Sequence, residues 1–316
     1  MSQKLKVAIV GAGSMAREHI RAFRDISNVE VAGIFSRTRT RAEALAKEFE
    51  IPLVCESVND LYAKTQAGLV VITVVELSME AVAEAAFAHP WTILLEKPVG
   101  YTVEIAERIA KSAHAKKRQA LVALNRRFYS STQQTLGRLR ENVGPRYIRV
   151  QDQQDLQSAR SSGQPEAVVQ NWMYANSIHV IDYFRVLGRG KVTNVRNITR
   201  WNPQAPGLLL AEIHFDSGDI GIYEGVWNGP GPWAVTVSTP TERFEMRPLE
   251  QLTFQLRGER KLNPAEIHVH DTAYKAGFRR QAEEAVAAAL GTPHHLPTLD
   301  EGIESMRLVQ QIFAEN

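Results

Sequence analysis

The chain has 316 residues, of which 44% are hydrophobic and 23% are charged, and its formal net charge is +2. This length allows a sizeable core and favours two domains over one. Because basic and acidic residues are interspersed, we expect neither a nucleic-acid surface nor an anionic-membrane surface.

The first part of the chain alternates short apolar runs with helical patterns. The apolar runs that predict strands cover residues 5–10, 29–36, 67–74, 91–96 and 119–125. The patterns that predict helices run from Met15 to Phe23 and over residues 40–49, 78–88 and 102–117. Because these strands are apolar on both faces, we expect a doubly wound parallel sheet with helices on each side, an α/β domain over residues 1–124.

From about residue 125 the rhythm changes, and we expect a second, α+β domain with a mostly antiparallel sheet over residues 125–316. Strand patterns cover residues 145–152, 192–200, 208–215, 219–227, 233–238 and 242–247. Helical patterns cover residues 130–141, 176–188, 273–290 and 299–314. The stretch 155–166 is polar, and we interpret it as a loop.

The strand pattern "DIGIYEGVWNG" favours association with a second copy. Period two places Gly221, Tyr223, Gly225 and Trp227 on one face and the side chains of Ile220, Ile222 and Val226 on the other. In an open sheet, helices cover one face only, so the other face pairs with another chain. We therefore expect a homo-oligomer, a dimer or tetramer. The alternative is a sheet that is covered within its own chain.

The cysteine count and the N-terminal pattern predict a cytoplasmic location. Cys55 is the only cysteine, which excludes an intrachain disulfide and favours a reducing compartment. No apolar run reaches the roughly 18 residues of a membrane span, so we expect no membrane contact. The N-terminus leads directly into a strand pattern without a signal peptide.

A glycine-rich loop follows the first predicted strand and opens a helix. Gly11, Gly13 and Ala16 form a G-x-G-x-x-A pattern that encloses Ser14 and Met15. The first glycine allows a tight turn, the second lets backbone amides approach a pyrophosphate, and Ala16 lets helix and strand pack closely. Inside a βαβ unit this pattern predicts dinucleotide binding and a Rossmann domain. The alternative is a tight turn without a ligand.

The end of the second strand predicts which dinucleotide binds. An Asp or Glu about 20 positions beyond the loop hydrogen-bonds the ribose of NAD, but this chain has Ser36, Arg37 and Thr38 there. The missing carboxylate removes repulsion of a 2′-phosphate, and Arg37 offers a planar fork for it. We therefore expect NADP, with NAD as a possible second cofactor. The alternative is that "SRTRTR" is only a solvated helix start.

The stretch "LLEKPVG" ends a buried strand in a carboxylate, a lysine and a proline. Ligands of open α/β sheets bind at the carboxyl edge, where we also expect Thr73 and Glu96 to contact the cofactor. A lysine held there by Pro98, through a trans or a cis bond, is placed to exchange a proton beside a nicotinamide, and desolvation lowers its pKa. Lys97 is therefore a candidate catalytic residue. The alternative is a lysine that snorkels to solvent.

The segments "VAIVGAGSMA", "LLEKPVG", "NRRF" and "NSIHVID" together resemble the Gfo/Idh/MocA oxidoreductase family. The resemblance runs over the whole chain and is strongest in the first 130 residues. It implies a Rossmann domain followed by a domain with an open sheet, and NAD(P)-dependent redox chemistry, commonly on sugars and cyclitols. It also implies that Lys97 touches substrate and nicotinamide ribose, and that His179 hydrogen-bonds the reacting group. From the residues alone, His179 is equally an ordinary helix histidine.

Two departures from the family pattern are visible. Many members carry an aspartate four residues before the histidine, where this chain has Ala175, and the loop after the strand at 67–74 reads "TVVELS" in place of a Thr-Pro-Asn-His-like run. The nicotinamide-side contacts are therefore expected to differ, and a carboxylate-assisted proton relay is in doubt.

Further polar and aromatic residues lie near these motifs. Arg126 is placed to reach a phosphate or carboxylate of the substrate, or else forms an inter-domain salt bridge. Trp172 and Tyr174, with Asn176 beside them, form the wall of a sugar site or belong to the core. Four further histidines show no spaced ligand set, so we expect no metal: His268, His270, His294 and His295.

These observations favour an NADP-preferring oxidoreductase that moves a hydride to or from a hydroxyl-bearing carbon of a sugar, cyclitol or nucleotide-sugar-like molecule. In this hypothesis Lys97 and His179 handle the proton. A second hypothesis keeps the cofactor but changes the reaction to tetrapyrrole reduction or to an elimination without net redox change. A third is a non-catalytic dinucleotide-binding regulator. Release of reduced cofactor during turnover distinguishes the first hypothesis from the others.

Overall fold

The structure, a computed structural model, describes residues 4–314. The chain forms two compact units. The first contains the residues up to Phe128 together with His270–Ile303, and the second contains Tyr129–Val269 together with the residues from Glu304 onward. The boundary expected between residues 124 and 125 stays a prediction, and the outer ends of both predicted domains lie outside the described residues.

The first unit contains a six-stranded parallel sheet in the order β3-β2-β1-β4-β5-β6. Its strands are β1 Leu5–Val10, β2 Val29–Phe35, β3 Val54–Cys55, β4 Leu69–Ile72, β5 Thr92–Glu96 and β6 Ala120–Ala123. The helices between them are α1 Ser14–Arg24, α2 Arg39–Phe49, α3 Val58–Thr65, α4 Glu76–Ala86 and α5 Val103–Ala115. This arrangement confirms the predicted doubly wound parallel sheet. Strand β3 was not predicted, because a two-residue strand shows no periodicity. Helix α3, which follows it, was not predicted either.

A helix from late in the chain completes the core of the first unit. After the short helix α10 (His270–Ala273), helix α11 (Phe278–Ala289) packs against α1. Phe278 is 2% exposed and lies in the same apolar cluster as Phe23. Burying a phenylalanine side chain of this kind stabilises a fold by about 1.5–3 kcal/mol. The sequence indicated the helix but not its partner.

The second unit contains an eight-stranded sheet in the order β14-β13-β12-β11-β7-β10-β9-β8. The strands are β7 Tyr147–Gln154, β8 Val192–Asn197, β9 Leu208–Phe215, β10 Ile220–Trp227, β11 Ala234–Ser238, β12 Glu242–Met246, β13 Thr253–Leu256 and β14 Asn263–Pro264. Only β7 and β10 pair in parallel, so the mostly antiparallel sheet is confirmed.

The helices of the second unit differ from the prediction in one place. They are α6 Ser130–Leu139, α7 Leu156–Ser161, α8 Glu166–Val169 and α9 Ile178–Leu187, and α12 Leu299–Ile312 begins in the first unit and ends in the second. The loop predicted over 155–166 is wrong, because Asp155 accepts hydrogen bonds from the main-chain N–H groups of Gln157 and Ser158 and starts α7. A π-helical turn, Met173–Ser177, precedes α9.

The two faces of β10 differ in burial as the alternation indicates. Tyr223 is 0% and Trp227 is 3% exposed, whereas Ile220 is 38% exposed. On the buried face, a Cβ at Gly221 would lie 2.6 Å from the ring of Phe184 in α9, so glycine lets helix and sheet approach. The opposite face is mixed rather than apolar, since Arg149 pairs there with Glu224 at 2.8 Å.

Within residues 4–314, no helix combines the length and the apolar character needed to cross a membrane.

Candidate functional site

The glycine loop forms an uncapped helix start at the carboxyl end of β1. Gly11 has φ +110°, and a Cβ there would lie 2.4 Å from the carbonyl oxygen of Thr73. A Cβ at Gly13 would meet no protein atom within 4 Å, and no side chain caps α1 at this position. The first N–H groups of α1 therefore remain available to an anion. Ala16 is 0% exposed, as close packing of helix and strand requires.

The end of β2 presents an arginine that forms no ion pair with any residue of 4–314. Arg37 is exposed and donates to the Ser78 hydroxyl at 2.9 Å. Its neighbour Arg39 pairs with Glu43 and Glu56. The main-chain N–H of Thr38 donates to the Ser36 hydroxyl at 3.2 Å. No carboxylate stands at the strand end, so Arg37 is the residue there that suits a phosphate.

A buried carboxylate stands next to the lysine of the E-K-P segment. Glu96 is 7% exposed, and its Oε2 accepts from the main-chain N–H of Lys97 at 3.2 Å. Its Oε1 lies 2.7 Å from Nε2 of His19, which is fully buried. Since a carboxylate only accepts, His19 donates this hydrogen bond. His19 was not among the predicted site residues, although an ionisable residue on the apolar side of α1 was a usable signal.

Lys97 lies half-buried at the carboxyl end of β5, and the Lys97–Pro98 bond is cis. Desolvation lowers the pKa of Lys97 from 10.5 to about 8. The charges of Glu96 and Glu76 oppose this change, whereas those of Arg126 and Lys275 add to it. A lysine with this pKa exists in both protonation states near neutral pH, which is what proton exchange requires. Arg126 is thus close enough to act on Lys97 electrostatically.

A pocket of about 590 Å³ opens in the second unit at the carboxyl end of β7. Amide, hydroxyl and indole side chains line it, among them Gln153, Gln154, Ser158, Trp172, Asn176 and Trp233. No lysine or arginine is among its lining residues. Two indole rings beside uncharged hydrogen-bonding groups suit a ring that is apolar on its faces and carries hydroxyls on its edge.

Gln154 joins the pocket wall to a buried carboxylate. Its Oε1 accepts from Trp172 Nε1 at 2.9 Å and from Asn176 Nδ2 at 2.8 Å, and its Nε2 donates to Asp152. The Tyr223 hydroxyl donates to the other oxygen of Asp152 at 2.7 Å.

Trp172 and Asn176 were predicted from the sequence, but Asp152 and Gln154 were not. A signal existed, because the alternation that buries Ile148 and Val150 also buries these two polar residues.

The remaining predicted residues are distributed over both units. Ser14 is exposed and Met15 is half-buried at the start of α1. Tyr174 is 8% exposed and does not line the pocket. His179 is half-buried in the first turn of α9, and its role stays a prediction.

Two of the other histidines form polar contacts within the chain, and the cysteine is buried. His295 pairs with Glu284 at 3.4 Å, and the main-chain N–H of His268 donates to the Ser130 hydroxyl. Cys55 is buried, and burial raises the pKa of its thiol, as for an unreactive cysteine. Within residues 4–314, no group of three His, Cys, Asp or Glu side chains is placed to hold a metal ion.

A parallel sheet of this strand order, with an uncapped glycine loop after its first strand, defines a nucleotide-binding Rossmann domain. The family model of the Gfo/Idh/MocA oxidoreductases, described as an NAD-binding Rossmann fold, matches residues 5–124. The resemblance in the sequence is therefore confirmed over residues 5–124, which match the NAD-binding domain of this oxidoreductase family.

The sequence similarity to one relative covers less than half of the chain, whereas the structural similarity to solved dehydrogenases covers nearly all of it. Glucose-6-phosphate 3-dehydrogenase of Bacillus subtilis is 30% identical over 125 residues, which are 40% of this chain and 35% of that enzyme. Levoglucosan dehydrogenase in complex with NADH and L-sorbose has a TM-score of 0.82 at 16% identity, over 98% of this chain and 96% of that one.

UDP-N-acetylglucosamine 3-dehydrogenase from Acidithiobacillus ferrooxidans has a TM-score of 0.78 at 18% identity, with coverage of 98% of this chain and 96% of that one. At these identities the two structures establish the shared fold.

Proposed function

We propose that this protein is an NADP-preferring dehydrogenase that moves a hydride to or from a hydroxyl-bearing carbon of a sugar, cyclitol or nucleotide-sugar-like substrate. The observation that carries the proposal is the half-buried Lys97, whose pKa is lowered to about 8. In its neutral form this lysine takes the hydroxyl proton as the alcohol is oxidised, and in its charged form it returns the proton to a carbonyl oxygen.

The cofactor assignment is supported by space and charge in the first unit. The open space around Gly13 and the uncapped start of α1 fit a pyrophosphate, and the charge of Arg37, which forms no ion pair with a residue of 4–314, fits a 2′-phosphate. Thr73, Glu96 and Lys97 are assigned to the nicotinamide end of the site. The nicotinamide, when bound, supplies the hydride acceptor or donor.

The substrate assignment is supported by the pocket in the second unit. Trp172 and Trp233 offer flat apolar surfaces, and Asn176 offers an amide for a hydroxyl. The names of the three relatives refer to dehydrogenases of a sugar phosphate, an anhydrosugar and a nucleotide sugar. The assignment of His179 to the reacting group rests on the family resemblance alone.

The proposal is tested by screening sugars, cyclitols and nucleotide sugars with NADP and with NAD, while the absorbance of the reduced nicotinamide is recorded. We expect at least one neutral sugar or cyclitol to produce reduced cofactor, with a lower KM for NADP than for NAD. Tight cofactor binding with no absorbance change for any compound would support the regulator instead. Turnover without release of reduced cofactor would support an elimination.

A further inference from the structure

Gln154, which lines the pocket of the second unit, is hydrogen-bonded to the buried carboxylate of Asp152. We refer to this carboxylate as the anchor. Asp152 is 1% exposed and receives hydrogen bonds from the Tyr223 hydroxyl and from the Gln154 amide. Burial, together with the charge of Asp152, holds the pKa of Tyr223 well above its usual value. The phenol therefore keeps its proton and donates, and Asp152 acts as an acceptor on both sides.

The anchor Asp152 and the Trp172 indole together determine which way the Gln154 amide faces. The two ends of an amide have nearly the same shape, so the hydrogen-bond partners decide which end is the oxygen. A carboxylate such as Asp152 only accepts, and the Trp172 indole N–H only donates. Nε2 of Gln154 must therefore face Asp152, and Oε1 must face Trp172, which lies 2.9 Å away.

The orientation of Gln154 in turn fixes the orientation of the Asn176 amide. Because Oε1 of Gln154 accepts, Asn176 must offer its Nδ2, which lies 2.8 Å away. The Oδ1 atom is then the end of Asn176 that remains for a ligand in the pocket. An oxygen of this kind accepts from a hydroxyl or N–H group and has no favourable contact with a carbonyl or ether oxygen.

The charges around the pocket restrict the ligand further. Among residues 4–314, the only ionisable residue that lines it is Asp155, whose carboxylate accepts from the main-chain N–H groups of Gln157 and Ser158. A phosphate in this pocket would thus meet a negative charge and no positive one.

We propose that Asp152 is a positioning residue that fixes the hydrogen-bond direction through Gln154 and Asn176, so that the pocket selects a neutral polyhydroxylated ring by one hydroxyl donated to Asn176. This inference rests on the proposed function, because it describes the substrate of the same enzyme. It adds that any phosphate or nucleotide part of the substrate lies outside this pocket.

The test uses calorimetric titration of the full chain loaded with NADPH, so that alcohols bind without turnover. The probes are levoglucosan, myo-inositol, D-glucose and D-glucose 6-phosphate. We expect at least one neutral probe to bind, and D-glucose 6-phosphate to bind no more tightly than D-glucose. In Asp152→Asn, which keeps the shape but lets position 152 donate, affinity should fall tenfold to a hundredfold.

Three further variants separate a change of hydrogen-bond direction from a change in folding. Asn176→Ala should lose the same affinity, and adding Asp152→Asn to it should lose little more, because both changes remove one acceptor. Glu166→Gln removes an exposed carboxylate that does not line this pocket, and this variant should bind like the parent. Binding by Asp152→Asn within about threefold of the parent would overturn the role of Asp152.

Two other results would overturn the neutral pocket: tenfold tighter binding of D-glucose 6-phosphate than of D-glucose, or no binding of any neutral probe. Selective binding in a protein that never reduces NADP would instead leave the pocket assignment standing and contradict the proposed function.

Discussion

Lys97 follows the buried strand β5, and Gln154 is the buried last residue of β7, but they meet the cost of burying polar groups in different ways. Lys97 keeps a titratable charge, and desolvation lowers its pKa to about 8. Gln154 is an uncharged amide whose two ends are matched to an acceptor and to donors. The region around Lys97 is therefore suited to moving a proton. The region around Gln154 is suited to recognition that does not change with pH.

Removing the titratable group should have the largest effect. In Lys97→Ala, kcat should fall by about 10² to 10⁴, while cofactor affinity stays within a few-fold. Lys97→Arg should not restore activity, because a guanidinium keeps its proton. Steady-state kinetics at saturating cofactor provide the measurement. A kcat within about threefold of the parent would leave Lys97 without a catalytic role.

The pH dependence should separate the two regions next. For alcohol oxidation Lys97 must be neutral, so log kcat/KM should rise by about one unit per pH unit below pH 8 and level off above it. Carbonyl reduction should show the opposite trend, because it needs the charged lysine. The inflection should disappear in Lys97→Ala and persist in Asn176→Ala. An unchanged profile in Lys97→Ala would assign the titration to another group.

The charge at the end of β2 should have an effect of tenfold to a hundredfold. A charge-assisted contact contributes about 1.5–3 kcal/mol, so Arg37→Ala should weaken NADP binding by that factor and leave NAD binding nearly unchanged. Arg39→Ala is the matched control, because its partners Glu43 and Glu56 already occupy that guanidinium. Calorimetric titration tests this, and equal or tighter binding of NAD by the parent would contradict it.

Alanine substitutions at the two loop glycines should have different effects, one mainly on stability and the other mainly on cofactor binding. Gly11→Ala places a Cβ at φ +110° and 2.4 Å from a carbonyl oxygen, and should lower the free energy of unfolding by about 1–3 kcal/mol or more. Gly13→Ala meets no protein atom, so it should lose less than about 1 kcal/mol but bind cofactor weakly. Thermal unfolding with and without NADP distinguishes them, and similar stabilities for both would contradict the loop geometry.

Substitutions on the exposed face of the second sheet should have the smallest effect on rate, and their effect should appear in the oligomeric state. We expect this face to pair with a second copy, so Ile222→Lys should lower the mass measured by light scattering, while Leu262→Lys, in an exposed loop, should not. A monomeric parent at micromolar concentration would show that the mixed face around the Arg149–Glu224 pair is stable in water.

Features that depend on neighbours along the chain could be predicted from the sequence alone. A strand, a glycine loop and a helix follow one another within residues 5–24, so their pattern indicates both the fold and the phosphate site. Lys97 is recognisable because an apolar strand precedes it and Pro98 follows it. Trp172 and Asn176 could be proposed for the same reason, since they adjoin a helix with a recognisable motif.

Contacts between residues that are distant along the chain became visible only in the folded structure. His19 and Glu96 are 77 positions apart, and Asp152 and Tyr223 are 71 apart. Helix α11 returns to α1 across most of the chain. Whether a buried donor finds an acceptor depends on strand register and on packing to within a fraction of an ångström, and neither is encoded in local periodicity. The hydrogen-bond direction at Asn176 is therefore a property of the folded molecule, although each residue that creates it was visible in the sequence.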